Sequence, residues 1–121
     1  MKYRNDLRDR TKKFAIRIIR LSVSLPSGRE ADIIGKQVLR SGTSVGAQFR
    51  EAYRAKSKAD YISKLTGSIQ ELDETQYWLE LLIEAKIVEE HLLLPLIQEA
   101  EELLAIITTI IRKVKEKSAS K

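Results

Sequence analysis

The chain has no cysteine and only one histidine among its 121 residues. The first absence excludes a disulfide framework, a zinc-thiolate site and a cysteine nucleophile together. It also fits a reducing compartment, so the cytoplasm is the expected location. The second leaves His91 without a cysteine or a matched carboxylate constellation in the sequence, so no metal, cofactor or general base is expected there. His91 reads as a surface residue near a helix start. Long apolar runs are missing as well. Nothing approaches the roughly 18 uninterrupted apolar residues of a membrane span. The longest apolar segment, 103–111, holds two threonines between flanking glutamates and lysines. The first ten residues are charged from the start and lack the apolar stretch of a secretory signal. No membrane association is expected.

What is present in quantity is charge, and it is unevenly spread. Residues 1–58 carry 15 Lys and Arg against 5 Asp and Glu; residues 59–110 carry 2 against 11; residues 111–121 carry 5 against 1. The net charge of +5 therefore hides a basic half, an acidic half and a basic tail. Such a partition makes one side of the molecule an anion-binding surface and gives two copies a reason to attract each other.

The remaining pattern is helical throughout, with no strand-like alternation. Leu7, Phe14, Ile18, Leu21 and Leu25 recur at helical spacing, with Asp6 and Asp9 in the expected first turn. Pro26, Ser27 and Gly28 break the first helix, and Ser27 followed by Glu30 predicts a capping box for the second. Ile34, Val38, Ser41, Val45, Gln48, Ala52 and Ala55 form its expected core face. Ser57 with Asp60 predicts the next cap, before a stripe of Ile62, Leu65, Ile69, Leu72, Gln76, Leu79 and Ile83. The fourth helix presents Leu93, Ile97, Ala100, Leu104, Ile107, Ile111 and Val114, with Pro95 tolerable near its start. Helices at about 6–24, 28–56, 58–86 and 90–116 predict a single all-α domain, an antiparallel up-down-up-down four-helix bundle. Ile16, Ile19, Val23, Leu81, Leu82, Ile106 and Ile110 lie beside or outside these stripes, more apolar surface than one such core needs. Self-association is the natural use for it.

One stretch stands out, Arg40 to Ala52, with two glycines, three hydroxyl residues and a phenylalanine. Its apolar register does not slip, so it reads as helix although each glycine costs about 1 kcal/mol relative to alanine. Gly35, Gly42 and Gly46 fall at i, i+7 and i+11 and share a face, where another backbone could approach closely. A loop at residues 41–44, with a hydroxyl acting as a new cap, is the alternative. A phosphate-cradling loop is excluded by the spacing and by the lack of a preceding strand.

The run Arg40-Ser41-Gly42-Thr43-Ser44-Val45-Gly46-Ala47, then Glu51-Ala52, 57–65 and 73–79, resembles the four-helix-bundle intervening-sequence protein family. Its members are encoded in intervening sequences of bacterial large-subunit ribosomal RNA genes or stand alone, and the family is related to Avd, the accessory protein of diversity-generating retroelements. The resemblance covers about residues 5–115. Gln48 and Asp73 stand where the family commonly has Asn. It implies a homopentameric ring with a basic surface around its channel. For the Avd branch it further implies nucleic-acid binding and a partner reverse transcriptase.

No catalytic signature is present, and no enzyme is expected. The residues put forward for RNA or DNA phosphate contacts are Arg8, Lys12, Lys13, Arg17, Arg20, Arg40, Arg50 and Arg54, of which Arg50 and Arg54 lie one helical turn apart. Gly42, Gly46, Glu51, Tyr77 and Trp78 are assigned to a packing or oligomer seam. The competing reading is a protein-interaction scaffold whose charge partition serves ring assembly alone.

Overall fold

Helical periodicity organises the computed structural model from end to end. Residues 2–119 are described, with side-chain surroundings from 6 to 117. They form four helices: α1 (Lys2–Ser24), α2 (Arg29–Tyr53), α3 (Lys58–Glu84) and α4 (Glu90–Ala119). Helix α1 packs on α2, α2 most extensively on α3, α3 on α4, and α4 closes less extensively on α1. Cross-helix neighbours run in opposite order along each pair. Leu25, Ile18 and Thr11 face Gly35, Gly42 and Gly46, while Val45 and Ser41 meet Ser68 and Thr75. Helices α1 and α2, and α2 and α3, therefore run antiparallel.

Several boundaries differ from the sequence expectation, among them the end of α4, which runs on to Ala119, and three have a local physical cause. Helix α1 begins at Lys2, because no breaker interrupts residues 2–5, so Asp6 and Asp9 lie beyond its first turn. Ser27 does not cap α2. Gly28 occupies the N-cap at φ 150°, with no side-chain cap bond, and the first-turn acids Glu30 and Asp32 complement the helix dipole instead. That backbone geometry is one side chains rarely tolerate. Helix α2 ends at Tyr53, three residues early, where Arg54 and Ala55 donate to Glu51 and Ala52 carbonyls three residues back. The expected cap of α3 is present, with Ser57 Oγ accepting from the Asp60 N–H at 3.0 Å.

At the other end of α3, Lys86 sits at φ 61°. The Ile87 N–H reaches the Leu82 carbonyl at 2.9 Å and the Lys86 N–H reaches that of Ile83 at 2.9 Å, the two bonds of a Schellman turn. Glycine usually fills this position. Replacing Lys86 by Gly removes the left-handed penalty, roughly 1 kcal/mol, and is expected to raise the melting temperature by a few degrees in a thermal scan.

Helix α2 is continuous through 41–44, and the loop alternative is excluded. Its three glycines do share a face, and that face is α1. A Cβ on Gly42 would lie 2.7 and 2.8 Å from the Ile18 Cγ1 and Cγ2 atoms. Ile18 is fully buried and β-branched, so it has little room to turn away. A Cβ on Gly46 would meet Thr11 Oγ1 at 3.2 Å. The glycines thus set the distance between α1 and α2.

The α3 core stripe is Leu65, Ser68, Leu72, Thr75, Leu79 and Leu82 rather than the expected alternation through Ile69, Gln76 and Ile83. The stripe is displaced because hydroxyls form its bonds to α2. Ser68 Oγ donates to the Val45 carbonyl at 2.9 Å, and Ser41 Oγ and Thr75 Oγ1 share a hydrogen bond of 2.8 Å. Phe49 rather than Gln48 is buried on α2; on α4, Leu96 and Leu103 are buried while Ile97 and Leu104 are half-buried. Leu82 is core, not surplus surface, and Leu81, Ile106 and Ile110 are half-buried.

Two substitutions test this packing. Gly42→Ala, which ordinarily stabilises a helix, is expected to cost about 1–3 kcal/mol by overpacking against Ile18. Combining it with Ile18→Ala should cost less than the two changes summed, read by denaturant unfolding. Thr75→Val is expected to lose roughly 1–2 kcal/mol by leaving the buried Ser41 hydroxyl without its strong partner.

Candidate nucleic-acid interface

The charge partition of the sequence becomes a partition in space, because α1 and α2 of the basic half are neighbours, and α3 is the neighbour of α4, whose acidic part ends before its basic tail. In an antiparallel bundle with four helices, the start of α1, the end of α2, the start of α3 and the end of α4 share one pole. Asp6, Leu7, Phe49, Tyr61 and Lys113 indeed line one open cleft of about 990 Å³. The basic tail of α4 therefore joins the basic ends of α1 and α2. Lys113 and Lys115, exposed at this pole, were not among the sequence candidates. The tail's charge count together with an even number of helices was the signal that could have found them.

Seven of the eight candidate cations fall into three groups, and the eighth, Lys13, is paired within α1. Arg8 and Lys12 are one turn apart on α1, and Arg50 and Arg54 are one turn apart at the end of α2. The Arg8 guanidinium lies 5.7 Å from the centre of the Tyr53 ring, and Thr11 abuts Gly46, so the two pairs occupy adjoining helix faces near the basic pole. All four side chains are exposed. Arg17 and Arg20 instead border a shallow groove with Leu92 and Pro95 of α4, on the other flank of α1. Lys13 holds Asp9 at 2.9 Å, which raises its pKa through that hydrogen bond.

Arg40 forms the third group, by itself. It is bound to Glu74 and lies 3.5 Å from Glu71, both on α3. The hydrogen bond to Glu74 pushes the guanidinium pKa up and holds the Glu74 carboxyl below its ordinary value, with help from the Trp78 indole N–H at 3.2 Å. This guanidinium ties α2 to α3 and is not brought together with Arg50 and Arg54. Arg10, which was not a candidate, does the same between α1 and α4. It donates to Glu99 at 2.6 and 3.0 Å and to Glu102 at 3.1 Å, and its pKa is raised chiefly by the Glu99 bond. By contrast, Lys12, Arg17, Arg20, Arg50 and Arg54 have no carboxylate partner among the described residues.

The seam residues divide too. Gly42 and Gly46 pack α1 against α2, and Glu51 lies 3.5 Å from Lys64 of α3. Trp78 is half-buried, whereas Tyr77 is exposed with its ring edge-on to Trp78 at 5.1 Å. Gln48 lies over Gly67, whose Cβ position would be 2.8 Å from the amide oxygen. A longer amide is thus accommodated on α2 by a missing side chain on α3. His91 is exposed with Nδ1 3.3 Å from Glu89. Among the described residues, no cluster of His, Cys, Asp or Glu could hold a metal ion, and no helix is long and apolar enough to cross a membrane.

Comparison with curated proteins finds no match. A solved crystal structure of a protein with unknown function from the S23 ribosomal protein family of Bacteroides thetaiotaomicron has the same fold. Its TM-score is 0.86 at 38% identity, with 93% of this chain and 99% of that one covered. The model for the 23S rRNA-intervening sequence protein matches residues 4–109, which span all four helices. The resemblance carried by residues 40–52 and 57–79 thus holds over nearly the whole bundle, and the chain belongs to the 23S rRNA-intervening sequence protein family.

Proposed function

We propose that the protein is a non-enzymatic, self-associating nucleic-acid-binding protein that holds RNA or DNA phosphates with Arg8, Lys12, Arg50 and Arg54 and the adjoining basic pole. One observation carries the reading. Of these four cations, Lys12, Arg50 and Arg54 lack any carboxylate partner among the described residues, and Arg8 rests on an aromatic ring. The carboxylates adjacent to them in sequence, Asp9 and Glu51, are engaged by Lys13 and Lys64 instead. The surface is thus left with mobile counterions, which a polyanion releases on binding.

The contacts are to backbone phosphate. Tyr77 and Trp78 are on α3, away from these cations, and the ring beside them, Tyr53, is half-buried under the Arg8 guanidinium rather than open to a stacked base. Binding of this kind is tolerant of sequence and sensitive to salt. The family description ties the chain to 23S rRNA intervening sequences, which makes RNA the first probe.

Titration of a labelled RNA and a labelled DNA over a salt series tests the reading. The wild type is expected to bind with a steep negative slope of log affinity against log salt. Arg50→Ala with Arg54→Ala is expected to lower that slope by about 2, one for each lost phosphate contact. Both residues are exposed, so the variant should melt like the wild type. Absence of binding to either probe at low salt would leave the interaction scaffold as the surviving reading.

A further inference from the structure

The structure leaves two unused helix faces that complement each other. On α1, Ile16, Ile19 and Val23 follow a three-four spacing on the side opposite the buried stripe and are 38%, 43% and 81% exposed. Arg20 borders that stripe, Arg17 lies further round on the same side toward α4, and neither has a carboxylate partner among the described residues. On α3, Gln70, Asp73, Tyr77, Glu80 and Glu84 follow a three-four-three-four spacing opposite its own buried stripe, and all are exposed. Tyr77, 53% exposed, is the one aromatic ring in this row.

We propose that the α3 stripe of one copy docks along the α1 stripe of a second copy, with Tyr77 seated on Ile16, Ile19 and Val23 and the carboxylates of Asp73, Glu80 and Glu84 meeting Arg17 and Arg20. The proposal rests on the self-association part of the function above and names the surfaces that would perform it. Both stripes have the heptad spacing that lets two helices lie along each other over several turns. Neither suffices without the other. An acidic stripe with one tyrosine has too little apolar area to pair with itself, and the α1 stripe, with arginines along one side, would repel its own copy. Opposite charge selects the pairing of unlike faces. An aromatic anchor in an aliphatic setting supplies the buried area that such contacts depend on.

The geometry also fixes the kind of assembly. Helices α1 and α3 share no packing contact in the bundle, so they stand on its diagonal and their outer stripes face away from each other. Joining α1 of one copy to α3 of the next is therefore a heterologous contact. Every added copy leaves one stripe of each kind free until a ring closes or a filament grows.

The assignment separates two sets of cations that the sequence alone lumped together. Arg17 and Arg20 serve the copy contact, while Arg50 and Arg54 remain for phosphate. Light scattering at moderate salt on three proteins tests it. The wild type is expected to run as a multiple of the 13.8 kDa chain. Arg17→Glu with Arg20→Glu, and separately Asp73→Lys with Glu80→Lys, are each expected to run as monomers, since each variant then faces like charge with like. Mixing the two variants restores both unlike pairings and should rebuild an assembly in which the variants alternate. All four residues are exposed, and circular dichroism would report whether the variants keep the helical fold. A wild type of 13.8 kDa would overturn both the interface and the self-association reading. A multimeric wild type whose folded variants keep its mass, or whose mixture stays monomeric, would overturn the interface alone. Phosphate binding by Arg50 and Arg54 is read separately, by the salt slope.

Discussion

The distance between α1 and α2 is the constraint on which the rest of this bundle depends. It is set by a missing methyl group at Gly42, where Ile18 fills the space a side chain would need. Ile18 lies in the middle of the core stripe of α1, and Gly42 is surrounded along α2 by Val38, Ser41 and Val45, all fully buried. A wider spacing here would open the core along both helices. It would also shift Ser41 relative to Thr75, since a hydrogen bond of 2.8 Å tolerates little displacement. One helix thus carries two different seams. The face toward α1 works by absence of side chains, and the face toward α3 works by paired hydroxyls.

That division explains why residues 40–52 look so unlike ordinary helix. The glycines and Ser41 are consumed inward, Thr43 and Ser44 bond back to the Leu39 and Arg40 carbonyls of their own helix, and Arg50, with Arg54 just beyond the segment, looks outward at the basic pole. Arg40 appears in the same segment, yet Glu71 and Glu74 draw it sideways across α3. Arg10 has a corresponding place between α1 and α4. Each clamp joins the basic half to the acidic half at a surface seam. Arg40 is substantially exposed, so its ion pairs add little to stability and act mainly to neutralise charge locally, whereas Arg10 and Glu99 are half-buried and joined by two bonds.

Much of this was legible before any coordinates. The number of helices, the Ser57 cap, the continuity of α2 and the common face of its glycines all follow from spacing, because one helix can be read without knowing its neighbours. What could not be read depended on two helices at once. Thr11, Ser41, Ser68 and Thr75 are all buried, but a hydroxyl is indistinguishable from a surface residue until the carbonyl or hydroxyl opposite it is known. Of the four, only Ser41 was placed on a core face, by its spacing. Arg40 resembled Arg50 in sequence and differs from it only in what α3 presents. The turn after α3 was legible, but the left-handed conformation of Lys86 was hidden for a local reason, since it has the hydrogen bonds of a glycine turn without the glycine. Leu96 and Leu103 were displaced by one position from the chosen stripe, a choice that the dense apolar composition of α4 leaves open.

The separation of basic α1 and α2 from α3 and the acidic part of α4 has a further consequence, at distances beyond contact. A body with opposite charge on its two sides carries a large electric dipole moment. Near a highly charged polymer it experiences a torque as well as an attraction, and it turns its positive side inward before it arrives. Collisions are then no longer random in orientation, so fewer of them are wasted. Dissolved ions shorten the range of that torque to about 10 Å at 0.1 M, less than the length of the bundle. Under the proposed function, salt would act on the speed of arrival as well as on the strength of the final complex, and the acidic half would take part by keeping the molecule aimed.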